Sequence, residues 1–366
     1  MFSLYDLPRR IVAAPMAGGP STPELAAAVS EAGGLGFLAA GYLAADVLEG
    51  RIARLQDLTP RPFGVNLFVP DAANTQETAS TSGTGPDAYE AAAQYRGQLL
   101  DEQAAGALPP TQQPLPLPDA TDDDGWEAKL GLVLDMSVPV VSFTFGVPSA
   151  EVVAQLHEAG TAVVITVTDP DEAEAAVGSG ARILCVQGPD AGGHRGTLRT
   201  AAEPGTDALP DLLEGVRTVL GDILPGPRET VQLIAAGGIS GPAQVAELLS
   251  AGADAVQVGT ALLLAPEAGT HPLHRQALAG ERFADTSLTR AFSGRWARGL
   301  TNDFMRRHRD APAAYPLVNQ ITRPLRAEAA ERGDADLMSL WAGRGFREAR
   351  PLPAAEIVEE LWGGVR

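Results

Sequence analysis

Eight short apolar segments alternate with alanine-rich stretches along the first 260 or so residues, and this alternation most limits the folds open to the chain. Each segment is a continuous run of Val, Ile, Leu, Phe or Ala. Such runs predict strands that are covered on both faces, as in a parallel sheet, whereas a half-exposed strand would alternate apolar and polar residues. The runs occupy residues 11–15, 35–39, 63–69, 138–145, 162–167, 183–187, 231–236 and 255–259.

The stretches between these runs carry the start and stop signals of helices. Helices are predicted after Thr22, from Pro148 and from Gly241, and each is followed by a glycine before the next apolar run. A strand-helix-glycine-strand unit that recurs in this way favours an α/β fold of the closed (β/α)₈ type, a TIM barrel. An open, doubly wound sheet is the alternative.

Two regions interrupt the alternation. Residues 71–125 are rich in Thr, Ser, Gly, Pro and Asp, and we expect a helix within a long excursion after the third strand. Residues 266–366 follow the eighth run and have the pattern of helices and loops. We therefore expect a barrel domain over residues 1–265 and a smaller, mostly helical C-terminal extension that contributes, with the excursion, to a lid over the barrel mouth.

Charge and cysteine content exclude several classes of function. The formal net charge of −19 argues against nucleic acid or an anionic membrane as a partner, because both need a positive face. The single cysteine, Cys185, excludes an internal disulfide framework, and the five histidines lack metal-ligand spacing, so no metal site is predicted. The N-terminus lacks a signal-peptide pattern and the apolar stretch around residues 25–45 is interrupted, so we expect a cytoplasmic protein that is not in a membrane. The sequence sets no oligomeric state.

A glycine-rich loop with a histidine follows the sixth run, where a barrel would place its active site. Gly192 and Gly193 permit a close approach of backbone to a ligand. His194 can serve near neutral pH as acid, base or hydrogen-bond donor, and Gln187 offers an amide at the end of the strand. A surface turn with a solvated histidine is the alternative interpretation.

Two further glycine-containing loops follow the seventh and eighth runs. Gly237 and Gly238 precede the helix predicted from Gly241. Gly259 is the last residue of the eighth run, and Thr260 follows it. Backbone amides and a helix N-terminus at these positions predict an anion site, and barrels often hold a phosphate between these two loops. Plain tight turns are the alternative.

Other side chains are weaker candidates. Asn66 lies in an apolar strand, where a buried amide needs hydrogen-bond partners from a ligand or from the backbone. Met16 follows the first strand and, taken alone, is more typical of a core residue. Arg295 and Arg298 could meet an anionic substrate, with ordinary salt bridges as the alternative. The aromatic candidates for a lid are Tyr315 and Trp341.

Together, these segments resemble the nitronate monooxygenase family, formerly called 2-nitropropane dioxygenases, and most closely its bacterial class I enzymes. The matching segments are APMAGG at 14–19, FGVNLFVP at 63–70, QGPDAGGHRG at 187–196, AAGGI at 235–239, AGADAVQVGTALL at 251–263, TRAFSGRWARGLTNDF at 289–304, and YPLVNQITRPLRAEAAERGD with LWAGRG within 315–345. They span nearly the whole chain in order. The last two lie outside the barrel, which separates this family from other phosphate-binding barrels.

The resemblance implies an FMN-containing enzyme that uses O₂ to convert alkyl nitronates, such as propionate 3-nitronate, into a carbonyl product and nitrite. It implies that His194 is the active-site histidine. The residues expected to contact FMN are Met16, Asn66, Gln187, Gly192, Gly193, Gly237, Gly238, Gln257, Val258, Gly259 and Thr260. Two alternatives are a related FMN-dependent enoyl reductase, which uses NAD(P)H, and a non-catalytic flavin-binding protein.

The chain departs from the family pattern at three positions. Asp190 stands where the family usually has Glu, Thr144 where many members carry His, and Arg344 where Gln is common. The first change is conservative. The other two bear on substrate preference more than on the FMN site.

Overall fold

A closed barrel of eight parallel strands forms the centre of the protein, for which a computed structural model describes residues 2–76, 82–223 and 231–365. The barrel strands are β1 (Ile11–Ala13), β2 (Gly36–Ala39), β3 (Phe63–Phe68), β4 (Val140–Thr144), β5 (Ala162–Val167) and β6 (Ile183–Gln187), then, after the short β7 (Gly193–His194) outside the barrel, β8 (Gln232–Ala236) and β9 (Ala255–Val258). Their order around the sheet is β1-β9-β8-β6-β5-β4-β3-β2. A parallel bridge between Val12 and Leu35 joins the two ends of this order, so the predicted TIM barrel is confirmed.

Helices cover the outside of the barrel. They are α1 (Pro23–Glu31), α2 (Ala45–Leu58), α4 (Trp126–Asp135), α5 (Ala150–Glu158), α6 (Pro170–Gly178), α7 (Leu209–Ile223) and α8 (Pro242–Ser250), while α3 (Pro86–Ala104) lies in the excursion. The predicted helix start at Thr22 is confirmed, because its side chain accepts a hydrogen bond from the Leu25 amide and Pro23 opens the helix. Within the described ranges, no helix combines the length and the apolar character needed to cross a membrane.

Large apolar side chains fill the amino-terminal half of the barrel interior. Phe37 is 2% exposed and lies in a cluster with Val140 and Ile183 from neighbouring strands. Gly64 makes room for this ring, because a Cβ atom there would lie 2.2 Å from Phe37 Cε1. The packed interior leaves the carboxyl ends of the strands as the place where a ligand can enter.

The excursion and the C-terminal extension share a second apolar core. The extension contains α9 (Pro272–Ala279), β10 (Thr286–Thr289), β11 (Ala297–Leu300), α10 (Asp303–Arg307), α11 (Leu317–Arg332) and α12 (Ala354–Trp362). Tyr95 and Leu99 of α3 pack in one cluster with Phe304 and Ile321 of the extension. The last helix, α12, instead packs on the outside of the barrel against α1 and α8. Residues 77–81 of the predicted excursion lie outside the described residues.

Candidate active site

A cavity of about 470 Å³ opens at the carboxyl ends of the barrel strands. This volume suits a small organic ligand, since such sites usually measure roughly 300–1,000 Å³. His194 and the residues expected to contact FMN all line it: Met16, Asn66, Gln187, Gly192, Gly193, His194, Gly237, Gly238, Gln257, Val258, Gly259 and Thr260. The barrel brings them together because the carboxyl ends of parallel strands meet at one rim.

The loops after β8 and β9 present unused hydrogen-bond donors to this cavity. Gly237 and Gly238 have φ angles of 110° and 76°, a backbone conformation that favours glycine. Within the described residues, no hydrogen bond uses the amide N–H of Gly238, Ile239 or Gly259. Unpaired amides beside the N-terminus of α8 form a site suited to an anion such as a phosphate.

Thr260 adds a hydroxyl to the same end of the cavity. Its Oγ1 atom accepts a hydrogen bond from the Gly343 amide at 3.0 Å, so the hydroxyl proton stays available for an acceptor. Gly343 belongs to the C-terminal extension, which therefore reaches the strand ends here. Arg344 and Asp190 form an ion pair at 2.9 Å beside this contact, so two of the three family departures touch each other.

Gln187 braces the loop that carries His194. Its Nε2 atom donates to the His194 carbonyl at 3.1 Å, and its Oε1 atom accepts from the Gly196 amide at 2.9 Å. Both ends of the side-chain amide are thus engaged within the loop. The short β7 strand pairs with β11, which ties the same loop to the extension.

The His194 imidazole is enclosed and electrically neutral. Burial, together with the smaller effect of the positive charges of Arg295 and Arg326, lowers the pKa of His194 to about 3. A histidine with this pKa carries no proton charge near neutral pH. The positive charges of Arg295 and Arg326, which contribute to this low pKa, also favour an anion in the cavity.

Ring contacts and one hydroxyl fix the position of this imidazole. Its Nε2 atom lies 2.8 Å from Ser293 Oγ, and Ser293 is 1% exposed. Ring centroids lie 5.4–5.8 Å from that of His194 for Phe145, Tyr315 and Trp341. No hydrogen bond in the described residues occupies Nδ1, so that nitrogen is available to a ligand. Ser293 was not identified from the sequence, because nothing near it in the chain marks it as a partner of His194.

Neither Arg295 nor Arg298, the two arginines considered for a substrate contact, lines the cavity. Arg295 is 1% exposed and donates to the Thr197 carbonyl at 2.6 Å and to Thr200 Oγ1 at 2.7 Å. Arg298 donates to the Pro189 carbonyl at 3.1–3.2 Å. Both side chains hold backbone and hydroxyl groups around the His194 loop.

Arg323 and Arg326 of α11 line the cavity instead. The Nη2 atom of Arg326 donates to Asn319 Oδ1 at 2.7 Å, and no carboxylate lies within 4.0 Å of either guanidinium among the described side chains. Unpaired arginines are notable in a chain with 46 acidic and 27 basic residues. Their three-residue spacing places them on one helix face, which is the signal in the sequence that could have identified them.

The cavity wall offers no recognisable metal centre. Across residues 2–76, 82–223 and 231–365, no group of three or more His, Cys, Asp or Glu side chains could hold a metal ion. The donors that face the cavity are amides, hydroxyls and imidazoles together with positively charged guanidinium groups. This set suits an anionic organic ligand.

Comparison with known proteins gives matches along nearly the whole chain. A family model described as nitronate monooxygenase matches residues 4–364. A probable nitronate monooxygenase from Staphylococcus saprophyticus is 34% identical, with 98% of this chain and 95% of the relative covered. Another from Bacillus subtilis is 33% identical, with coverages of 94% and 92%.

Solved structures share the fold. The structure of a nitroalkane oxidase from Streptomyces ansochromogenes has 47% sequence identity and a TM-score of 0.87, with 99% of this chain and 97% of that chain covered. FabK from Thermotoga maritima superposes with a TM-score of 0.71 at 24% identity over 99% of this chain and 94% of that chain. The second likeness establishes only the shared fold.

Proposed function

Because this chain belongs to the nitronate monooxygenase family, we propose that it uses FMN and O₂ to oxidise alkyl nitronates to a carbonyl product and nitrite. The observation that carries this proposal is the neutral His194 imidazole in the wall of a cavity with two unpaired arginines. One relative of known structure, at 47% identity, is a nitroalkane oxidase, which supports a nitro compound as the substrate class.

The residues around the cavity fit FMN. The unused amides of Gly238, Ile239 and Gly259 would hold its phosphate, with the Thr260 hydroxyl as a further donor. Asn66 and Met16 lie on the wall where the ring system would rest. When bound, FMN supplies the redox chemistry by taking electrons from the nitronate and passing them to O₂.

His194 would orient the nitronate by hydrogen bonding. Ser293 Oγ lies 2.8 Å from Nε2 and 3.1 Å from the Arg295 carbonyl oxygen, and its one proton can serve only one of these two acceptors. When the proton serves Nε2, the imidazole carries its own proton on Nδ1 and can donate it to a nitro oxygen. A pKa of about 3 makes this imidazole a weak base, which disfavours proton removal from a neutral nitroalkane. The site therefore favours a preformed nitronate anion as substrate.

Arg323 and Arg326 support a substrate with a second negative group. Propionate 3-nitronate carries a carboxylate in addition to the nitronate, and a guanidinium pairs well with either. The C-terminal extension supplies both arginines and Trp341 to the cavity wall, which supports its proposed role as a lid. Because both charges come from the extension, closure of the lid would couple to binding of the anion.

One experiment tests the proposal against its alternatives. The purified protein is examined for a flavin spectrum and then given propionate 3-nitronate in air without pyridine nucleotide. Oxygen uptake with release of nitrite is expected. Flavin bleaching that occurs only with NAD(P)H would instead identify a reductase, and a yellow protein inert to both would identify a flavin-binding protein.

A further inference from the structure

A buried amide in the cavity wall is held by two hydroxyl groups from the adjacent strand. Asn66 on β3 and Ser142 on β4 are paired in register. Ser142 Oγ donates to Asn66 Oδ1 at 2.8 Å, and Thr144 Oγ1 donates to the same oxygen at 2.9 Å. Asn66 is 2% exposed and Ser142 is 5% exposed. Ser142 and Thr144 point to the same side of β4 because side chains two apart along a strand share a face.

These two hydrogen bonds determine which end of the amide meets a ligand. A carbonyl oxygen has two acceptor positions, and both are filled here. The Nδ2 group of Asn66 donates to no acceptor within the described residues, and Asn66 lines the cavity. Because Asn66 lines the cavity, an acceptor on a bound ligand would complete the hydrogen bonds of this NH₂ group.

We propose that Ser142 and Thr144 are positioning residues that fix the Asn66 amide with its NH₂ group towards an acceptor atom of the flavin. This inference rests on the proposed function, since it requires FMN in the cavity. A fixed donor costs no reorganisation when the ligand binds, whereas a freely rotating amide would lose conformational freedom. A hydrogen bond to the flavin ring also favours its electron-rich reduced form.

The test measures FMN binding by the apoprotein. Ser142→Ala and Thr144→Val each remove one donor, and each is expected to weaken FMN binding about three- to tenfold, as the loss of one hydrogen bond implies. The double variant is expected to bind more weakly than either single variant. The midpoint potential of the bound flavin is expected to shift to more negative values in all three.

A double-mutant cycle separates positioning from a purely structural role. In an Asn66→Leu background, Thr144→Val should leave the FMN dissociation constant unchanged, because the group that it positions is gone. The matched control is Thr161→Val. Thr161 is 2% exposed and donates to the Val138 carbonyl before β5 begins, at the opposite end of the barrel, so its loss should leave FMN affinity unchanged.

The outcomes distinguish this inference from the proposed function. Wild-type affinity and potential in Ser142→Ala and Thr144→Val would overturn the positioning role while nitronate oxidation still stood. An equal effect of Thr144→Val with and without Asn66 would also overturn it. A wild-type apoprotein that binds no FMN would overturn both proposals.

Discussion

Replacement of Ser293 with alanine removes the hydroxyl that lies 2.8 Å from Nε2 of His194. In the proposed function, this hydroxyl donates to Nε2 and not to the Arg295 carbonyl, which lies 3.1 Å from it, and so keeps the imidazole proton on Nδ1, where it can meet a nitro oxygen. Ser293 is 1% exposed, so bulk water does not readily replace the lost partner. The alanine variant therefore leaves a buried ring nitrogen without its hydrogen bond.

The size of the effect follows from the surroundings of the ring. A buried polar group that loses its partner costs about 1–3 kcal/mol. Phe145, Tyr315 and Trp341 still enclose His194 and keep the ring in place, although they do not set which nitrogen carries the proton. We therefore expect the lower half of that range, about 1–2 kcal/mol, which corresponds to a loss of about 5- to 30-fold in kcat/KM.

The assay is steady-state oxygen uptake with a nitronate, accompanied by titration of the apoprotein with FMN. FMN affinity should stay within about twofold of wild type, because Ser293 contacts His194 rather than the phosphate loops. Ser287→Ala is the matched control, since Ser287 bonds to Thr301 at 2.6 Å and does not line the cavity. Full activity in Ser293→Ala, or a loss that only reflects loss of FMN, would refute this reasoning.

Three other predictions concern the same cavity. His194→Asn should retain FMN, as judged by its visible spectrum, but lower turnover with nitronate about tenfold to a hundredfold; loss of the flavin from a folded protein would instead assign His194 to cofactor binding. Arg326→Gln should raise KM for propionate 3-nitronate about tenfold or more. It should raise KM much less for an alkyl nitronate that lacks a carboxylate. Equal increases in KM for both substrates would rule out recognition of the carboxylate by Arg326. The pKa of His194 is depressed in the folded protein, so the unfolded chain binds a proton at this histidine below about pH 6.5, whereas the folded protein binds it only near pH 3. The free energy of unfolding therefore decreases as the pH falls from about 6.5 towards 3. In a calorimetric comparison, His194→Asn should therefore lose less thermal stability than wild type between pH 7 and pH 5. An equal loss in both proteins would contradict the burial of His194.

The barrel was predictable because its signals are local. A continuous apolar run such as residues 162–167 has few structural outcomes, and the structure forms a strand over that whole run. The helix after Thr22 likewise begins where a capping hydroxyl and a proline coincide. Once strands and helices alternate, chain connectivity places the carboxyl ends of the strands together, and the glycine-rich loops with them.

The contents of the extension were less predictable. Arg295, Arg298 and Arg326 are chemically alike in the sequence, yet only Arg326 faces the cavity. Which arginine meets a ligand depends on how α11 and the loop before β11 pack against the barrel, and those contacts join residues far apart in the chain. Sequence spacing assigns a residue to a helix face but does not say what that face will contact.

Local order along the chain was thus sufficient for the closed sheet, its outer helices and the glycine-rich loops at the rim, because hydrophobic periodicity and backbone preference act over a few residues. The pairing of Ser293 with His194 and the return of α12 to the barrel arise only when distant segments pack together. Hydrogen bonds and burial between such segments depend on distances in space, which the order of residues does not encode directly.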